Sequence, residues 1–134
     1  MRGAIRNREA SNAVKDYTRL RWKSITPTDI DGLIDFKNKL FVIIELKRVG
    51  EKLEGGQRLA LERLADSITQ ARKPCYLIVA QYDTDGDIQA DTCLVSEMRH
   101  NKRWRQSKEN VTLKCLIDRI LSVHAPEYLE NGQV

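Results

Sequence analysis

Cysteine is scarce in this 134-residue chain, with only Cys75, Cys93 and Cys115, widely spaced and odd in number. No histidine stands near them at zinc-ligand spacing, so neither a disulfide scaffold nor a structural zinc site is encoded, and buried, inert, reduced thiols are expected. Histidine is scarcer still: His100 and His124 lie far apart, with no serine or cysteine nucleophile pattern around them, which excludes a catalytic triad and leaves two surface histidines. Gly50 and the pair Gly55-Gly56 lack the lysine and spacing of a phosphate-binding loop, which argues against ATP-driven activity. Long apolar runs are missing as well. Leu40-Phe41-Val42-Ile43-Ile44 is far too short to cross a bilayer, and the basic start Met1-Arg2-Gly3-Ala4-Ile5-Arg6 lacks the apolar stretch of a secretory signal. A cytoplasmic protein with no membrane partner is expected.

What is present is charge, unevenly placed. The net charge is +4, with 41% hydrophobic and 31% charged residues, ordinary for a globular domain of this size. Residues 1–24 carry seven Lys/Arg against two acids and residues 97–108 five against one, while 25–96 and 109–134 are net acidic. Basic flanks around an acidic centre suit a protein that grips phosphates and holds a cation between them; solvated surface charge explains the same pattern equally well.

Apolar residues at Ala4, Ile5, Ala10, Ala13, Val14, Tyr17 and Leu20 recur at helical spacing and predict an amphipathic first helix. After Pro27, Ile30, Leu33, Ile34 and Phe36 lie among aspartates. The turn Lys37-Asn38-Lys39 and the apolar run 40–44 follow, predicting a β-hairpin whose second arm is covered on both faces. Helical periodicity returns from Leu59 to Ala71 and stops at Lys73-Pro74. A buried strand is expected over 75–80, a tight turn at Asp83-Thr84-Asp85-Gly86-Asp87, a strand over 91–97 and a last helix over 110–123. The aspartate-rich turn lacks the glycine and glutamate positions of a calcium loop. One domain, 1–125, and a loose tail, 126–134, complete an α/β architecture.

Folding the hairpin about Lys37-Asn38 brings position 31 opposite 44 or 45, so Asp31 and Glu45 meet across neighbouring strands about 5 Å apart. Glu45 and Lys47, two apart, share a face. Two converging carboxylates repel unless a cation intervenes, and hard oxygen ligands favour Mg²⁺ or Mn²⁺. A lysine beside them could orient water and neutralise a phosphate, the arrangement phosphodiester hydrolysis needs. A purely structural ion pair accounts for these residues equally well at this point.

The string Pro27-Thr28-Asp29-Ile30-Asp31-Gly32, the fourteen positions from Asp31 to Glu45, and the strand ending Glu45-Leu46-Lys47 resemble the PD-(D/E)xK nuclease superfamily, which includes small phage and prokaryotic endonucleases and junction resolvases. The resemblance covers roughly residues 5–82. It implies a restriction-endonuclease-like core, a central mixed sheet flanked by helices in the order helix, three-strand meander, helix, strand, strand, helix. It also implies Asp31 and Glu45 as Mg²⁺ ligands, Mn²⁺ substituting, and Lys47 assisting the attacking water. Thr28 interrupts the literal Pro-Asp, which makes Asp29 the reserve ligand. Superfamily members place a further Glu on the first helix and a polar residue on the second; Glu9 and Gln57 match these, with a solvated Glu9 paired to arginine and a surface Gln57 as the plain alternatives.

Arg6, Arg8, Arg48, Lys52, Lys102, Arg103 and Arg105 are the candidate phosphate contacts, with Trp104 either stacking on a base or packed inward and Trp22 expected to be buried. The implied protein is a Mg²⁺-dependent endonuclease on DNA, structure-selective for junctions as a homodimer, in a prokaryotic or phage-infected cell. The rival readings are a non-catalytic nucleic-acid-binding module and a nuclease subunit active only in a larger complex.

Overall fold

The computed structural model describes residues 14–129. Five strands, β1 (Gly32–Asp35), β2 (Phe41–Arg48), β3 (Cys75–Tyr82), β4 (Leu94–His100) and β5 (Arg103–Gln106), form one sheet in that order, with α1 (Gly55–Gln70) and α2 (Leu113–His124) flanking it. Only β2 and β3 are parallel; the other neighbours are antiparallel, so the sheet is mixed. The chain is therefore α/β, as expected.

The β1–β2 turn sets the register that matters most. Lys37 and Asn38 both have positive φ, 50° and 67°, in the three-residue loop 37–39 that joins the strands. Lys39 N donates to Phe36 O at 3.0 Å and Phe36 N to Leu40 O at 2.9 Å, and the pairing runs on from there to Gly32 opposite Ile44. A slip of one residue would turn every β2 side chain to the wrong face.

Strand β2 is apolar on both faces because each face meets a different helix. Val42 and Ile44 pack with Tyr76 and Ile78 of β3 and with Leu113, Ile117, Ile120 and Leu121 of α2. Ile43 packs with Leu77 and Val79 and with Leu61 and Ala65 of α1. Thr112 caps α2, its Oγ1 accepting from Cys115 N at 3.2 Å. Cys75 and Cys93 are buried, whereas Cys115 is exposed: it lies on the outer side of α2, away from the sheet-facing Leu113 and Ile117.

Four expectations need correction. The first helix does not extend over 14–20, where the backbone is irregular; Asp16 Oδ1 accepts from Thr18 N at 2.9 Å and Leu20 N donates to Tyr17 O, local bonds that compete with a helix beside β-branched Val14 and Thr18. Trp22 is 65% exposed, held in a bridge with Ile25 that is separate from the sheet. A two-strand hairpin, not a three-strand meander, precedes α1 among the described residues, because the segment just after Pro27 finds no strand partner; the extra strand, β5, sits at the opposite edge. The expected tail is docked through Leu129: Phe36 and Tyr128 rings lie 5.6 Å apart, and Lys39 pairs with Glu127.

Candidate active site

One step beyond the β1–β2 register, Asp31 falls opposite Glu45, and the two residues interlock through the backbone. Asp31 N donates to Glu45 Oε1 at 3.1 Å, and Leu46 N donates to Asp31 Oδ2 at 2.8 Å. The aspartate is exposed at the strand's entrance while Glu45 is 1% exposed. Asp29 supplies only its backbone carbonyl, a weak acceptor for Gln57 Nε2 at 3.4 Å, and Asp35 is used in the turn, accepting from Asn38 N at 2.7 Å.

Gln57, in the first turn of α1, completes the constellation. Its Oε1 accepts from Lys47 Nζ at 3.0 Å and its Nε2 donates to Glu45 Oε2 at 3.2 Å. Strand parity sends Ile43, Glu45 and Lys47 to the α1 side, which is why one glutamine reaches both functional groups. Glu45 makes no ion pair with any described residue. Burial raises its pKa to about 7; the neighbouring Asp31 carboxylate adds to the rise, while the Asp31 amide and the charge of Lys47 oppose it.

A groove of about 660 Å³ opens between residues 24–29 and α1, with Lys47, Gln57 and Arg63 on its walls. Arg63 escaped the sequence reading; the signal was its spacing, two turns along α1 from Gly56 on one helix face.

The remaining predicted residues scatter. Arg48 points to the other side of β2 from Lys47, its guanidinium 5.2 Å from the Tyr82 ring and 3.4 Å from Asp85 Oδ1. Lys52 borders a cavity of about 430 Å³ with Arg58, Gln81 and Glu97, still on the α1 side. Lys102 donates to Gln70 Oε1 at the far end of α1, and Arg103 and Arg105 lie on β5, the outer strand remote from β1. Glu9, Arg6 and Arg8 lie outside the described residues. The structure thus brings together Asp31, Glu45, Lys47 and Gln57, and does not bring Lys102, Arg103 and Arg105 to them.

Sequence reasoning also missed a second buried acid. Glu97 is 9% exposed and takes both guanidinium nitrogens of Arg58, at 3.0 and 3.1 Å, while that guanidinium lies 3.9 Å over the Trp104 ring. Trp104 is packed inward, its Nε1 donating to Glu62. No local pattern links residues 39 positions apart in this way.

Comparison with known protein families, with curated proteins and with solved structures returned no match. Among the described residues, no helix is long and apolar enough to cross a membrane.

Proposed function

We propose that this chain is a Mg²⁺-dependent endonuclease acting on DNA, built on the nuclease pattern its motif resembles. The observation that carries the reading is Glu45: a glutamate buried in the sheet, beside a second carboxylate, with no ion pair to any described residue. Above its raised pKa of about 7, a purely structural Glu45 would hold a buried charge eased only by hydrogen bonds and the nearby Lys47, at a cost of a few kcal/mol. A divalent cation offsets it.

The donor set fits such an ion. Asp31 and Glu45 present hard oxygens, the second pinned by the Asp31 amide and by Gln57. The described residues hold no cluster of three or more His, Cys, Asp or Glu suited to a metal. Two carboxylates suffice for Mg²⁺, which keeps several waters and binds substrate phosphate oxygens. When bound, the ion would polarise the phosphoryl oxygen and lower the pKa of a coordinated water.

The chain's own groups do the rest. Lys47, steered by Gln57, neutralises charge that develops on the phosphate and orients the attacking water. Gln57 keeps Lys47 from collapsing onto Glu45, so the carboxylate stays available. Arg63 and Lys52 contribute positive charge on the α1 side, around the groove and the strand end, where a phosphate backbone would run. Selectivity for branched DNA, with a homodimer spanning the junction, is the finer form of this reading.

A second reading has one observation in its favour. Trp22, Ile25 and Leu33 are all exposed near the site, which suits a nuclease subunit that completes itself against a partner protein. Labelled single-stranded, duplex, flapped and four-way-junction DNA, incubated with Mg²⁺, Mn²⁺ or EDTA, tests both. Metal-dependent cutting lost in Glu45→Ala and Lys47→Ala supports the first; tight, salt-sensitive binding without cutting by the isolated wild type moves the function to a docking module or an incomplete subunit.

A further inference from the structure

The α2 side of the β4–β5 hairpin carries a second concentration of chemistry, independent of the nuclease reading. Arg103 stands opposite His100 and Arg105 opposite Met98, so the two arginines, two apart on β5, share a face about 7 Å from one another. The same cross-sheet register leads from His100 to Tyr76 and from Met98 to Ile78, which pack toward α2, so this face is the one opposite Glu45.

A cavity of about 540 Å³ lies over these residues. Its wall includes the half-buried His100, whose ring stacks on Tyr76 at 3.9 Å and 8°, while the Tyr76 hydroxyl hydrogen-bonds His124 Nε2 at 2.7 Å. Neither histidine is the plain surface residue expected. Met98 and Arg105 also line a second cavity, of about 920 Å³, floored by Val95, Val111 and Leu116 and rimmed by Lys108. The two cavities therefore adjoin through shared residues.

Arg103 and Arg105 are exposed and have no carboxylate or hydrogen-bond partner among the described residues. Arg99 is held by Asp66 at 2.8 Å, Arg58 by Glu97 and Arg119 by Glu109, whereas Arg63 and Arg72 are unpaired among the described residues like Arg103 and Arg105; what sets the last two apart is that they share one strand face over a cavity. Two unpaired guanidiniums on one face beside an imidazole can together give a phosphate monoester several charge-assisted hydrogen bonds. The second cavity is also lined by Gln106, Ser107 and the Glu109–Arg119 ion pair, so its rim offers polar partners for sugar hydroxyls and its apolar floor a surface for a flat ring, in a cavity within the usual size range for small ligands.

We propose that this cleft binds a nucleoside monophosphate, its phosphate on Arg103 and Arg105 and its base against Met98, Val95 and Leu116. The test is calorimetric titration of the full chain, in EDTA, with AMP, inorganic phosphate and adenosine, for wild type, Arg103→Ala, Arg105→Ala and Glu45→Gln. AMP should bind about tenfold or more tightly than either fragment, and each arginine variant should weaken it about tenfold or more, the loss expected for one charged hydrogen-bonding group. Glu45→Gln should bind AMP as wild type does. Both arginines are exposed, and unchanged thermal unfolding of their variants confirms an intact fold. No AMP binding, equal affinity for inorganic phosphate, arginine variants that bind normally, or loss in Glu45→Gln would each overturn the proposal; the last would place the ligand in the nuclease-like site.

Discussion

Lys47 gives its ammonium to the amide oxygen of Gln57, at 3.0 Å, and not to Glu45 beside it. The same amide's nitrogen binds Glu45 Oε2 at 3.2 Å, so Gln57 spaces a cation from an anion that would otherwise neutralise each other. Gln57→Ala is therefore expected to leave the fold intact and lower single-turnover cleavage about tenfold or more through misplacement of Lys47. Lys47→Ala should cost more, on the order of a hundredfold or beyond, since it removes the group itself. Cleavage rates at saturating Mg²⁺ for the two variants check the order.

Glu45 makes the metal-free protein sensitive to pH. Its folded pKa of about 7 exceeds the value near 4.5 of an unperturbed carboxyl, so between these limits the folded state binds more protons than the unfolded one. Stability should accordingly fall as pH rises from about 4.5 to about 7, by up to ~3 kcal/mol from this group. Glu45→Gln should flatten that slope and be the more stable protein at pH 8 in EDTA. Urea unfolding across the pH range measures it; a wild-type curve no steeper than the variant's would contradict the assignment.

Divalent cations should reverse that penalty. At pH 8, Mg²⁺ or Mn²⁺ at about a hundred times its dissociation constant should raise wild-type stability by ~2.7 kcal/mol. Glu45→Gln and Asp31→Asn should show much less. Thermal unfolding with and without the metal reads the difference, separately from any activity.

Arg58 and Glu97 predict an asymmetry of single and double variants. Arg58→Met strands a buried carboxylate and should cost about 3 kcal/mol, whereas Arg58→Met with Glu97→Leu should recover most of the loss. Because Arg58 is partly exposed, water relaxes part of the penalty, and the figure is an upper value. A double-mutant cycle in urea gives the coupling directly.

Where the sequence carried periodicity, the elements were legible. The residues from Leu59 onward foretell most of α1, and Gln57 is placed at its start; Gly55 and Gly56, which open the helix, carry no apolar side chain and read as connection. Lys37-Asn38 marked the hairpin turn because asparagine tolerates positive φ, and with the turn placed, Asp31 opposite Glu45 followed by counting. The failures have physical causes. Apolar spacing at Val14, Tyr17 and Leu20 looked helical, but local side-chain bonds and β-branching won there. Strand β5, Arg103-Trp104-Arg105-Gln106, has alternation only in Trp104, and the partners of that ring, Arg58 and Glu62, come from a helix some forty residues away.

The sheet order also divides the proposed metal site between regions of unequal persistence. Glu45 belongs to a strand with a partner on each side and a helix on each face, so exposing its backbone means unfolding the molecule. Asp31 stands just outside β1, a four-residue strand at the sheet margin that can release locally. One carboxylate is thus permanent for as long as the protein is folded, while the other joins or leaves with the fraying of a short edge, and the lifetime of the assembled pair is set by the weaker of the two.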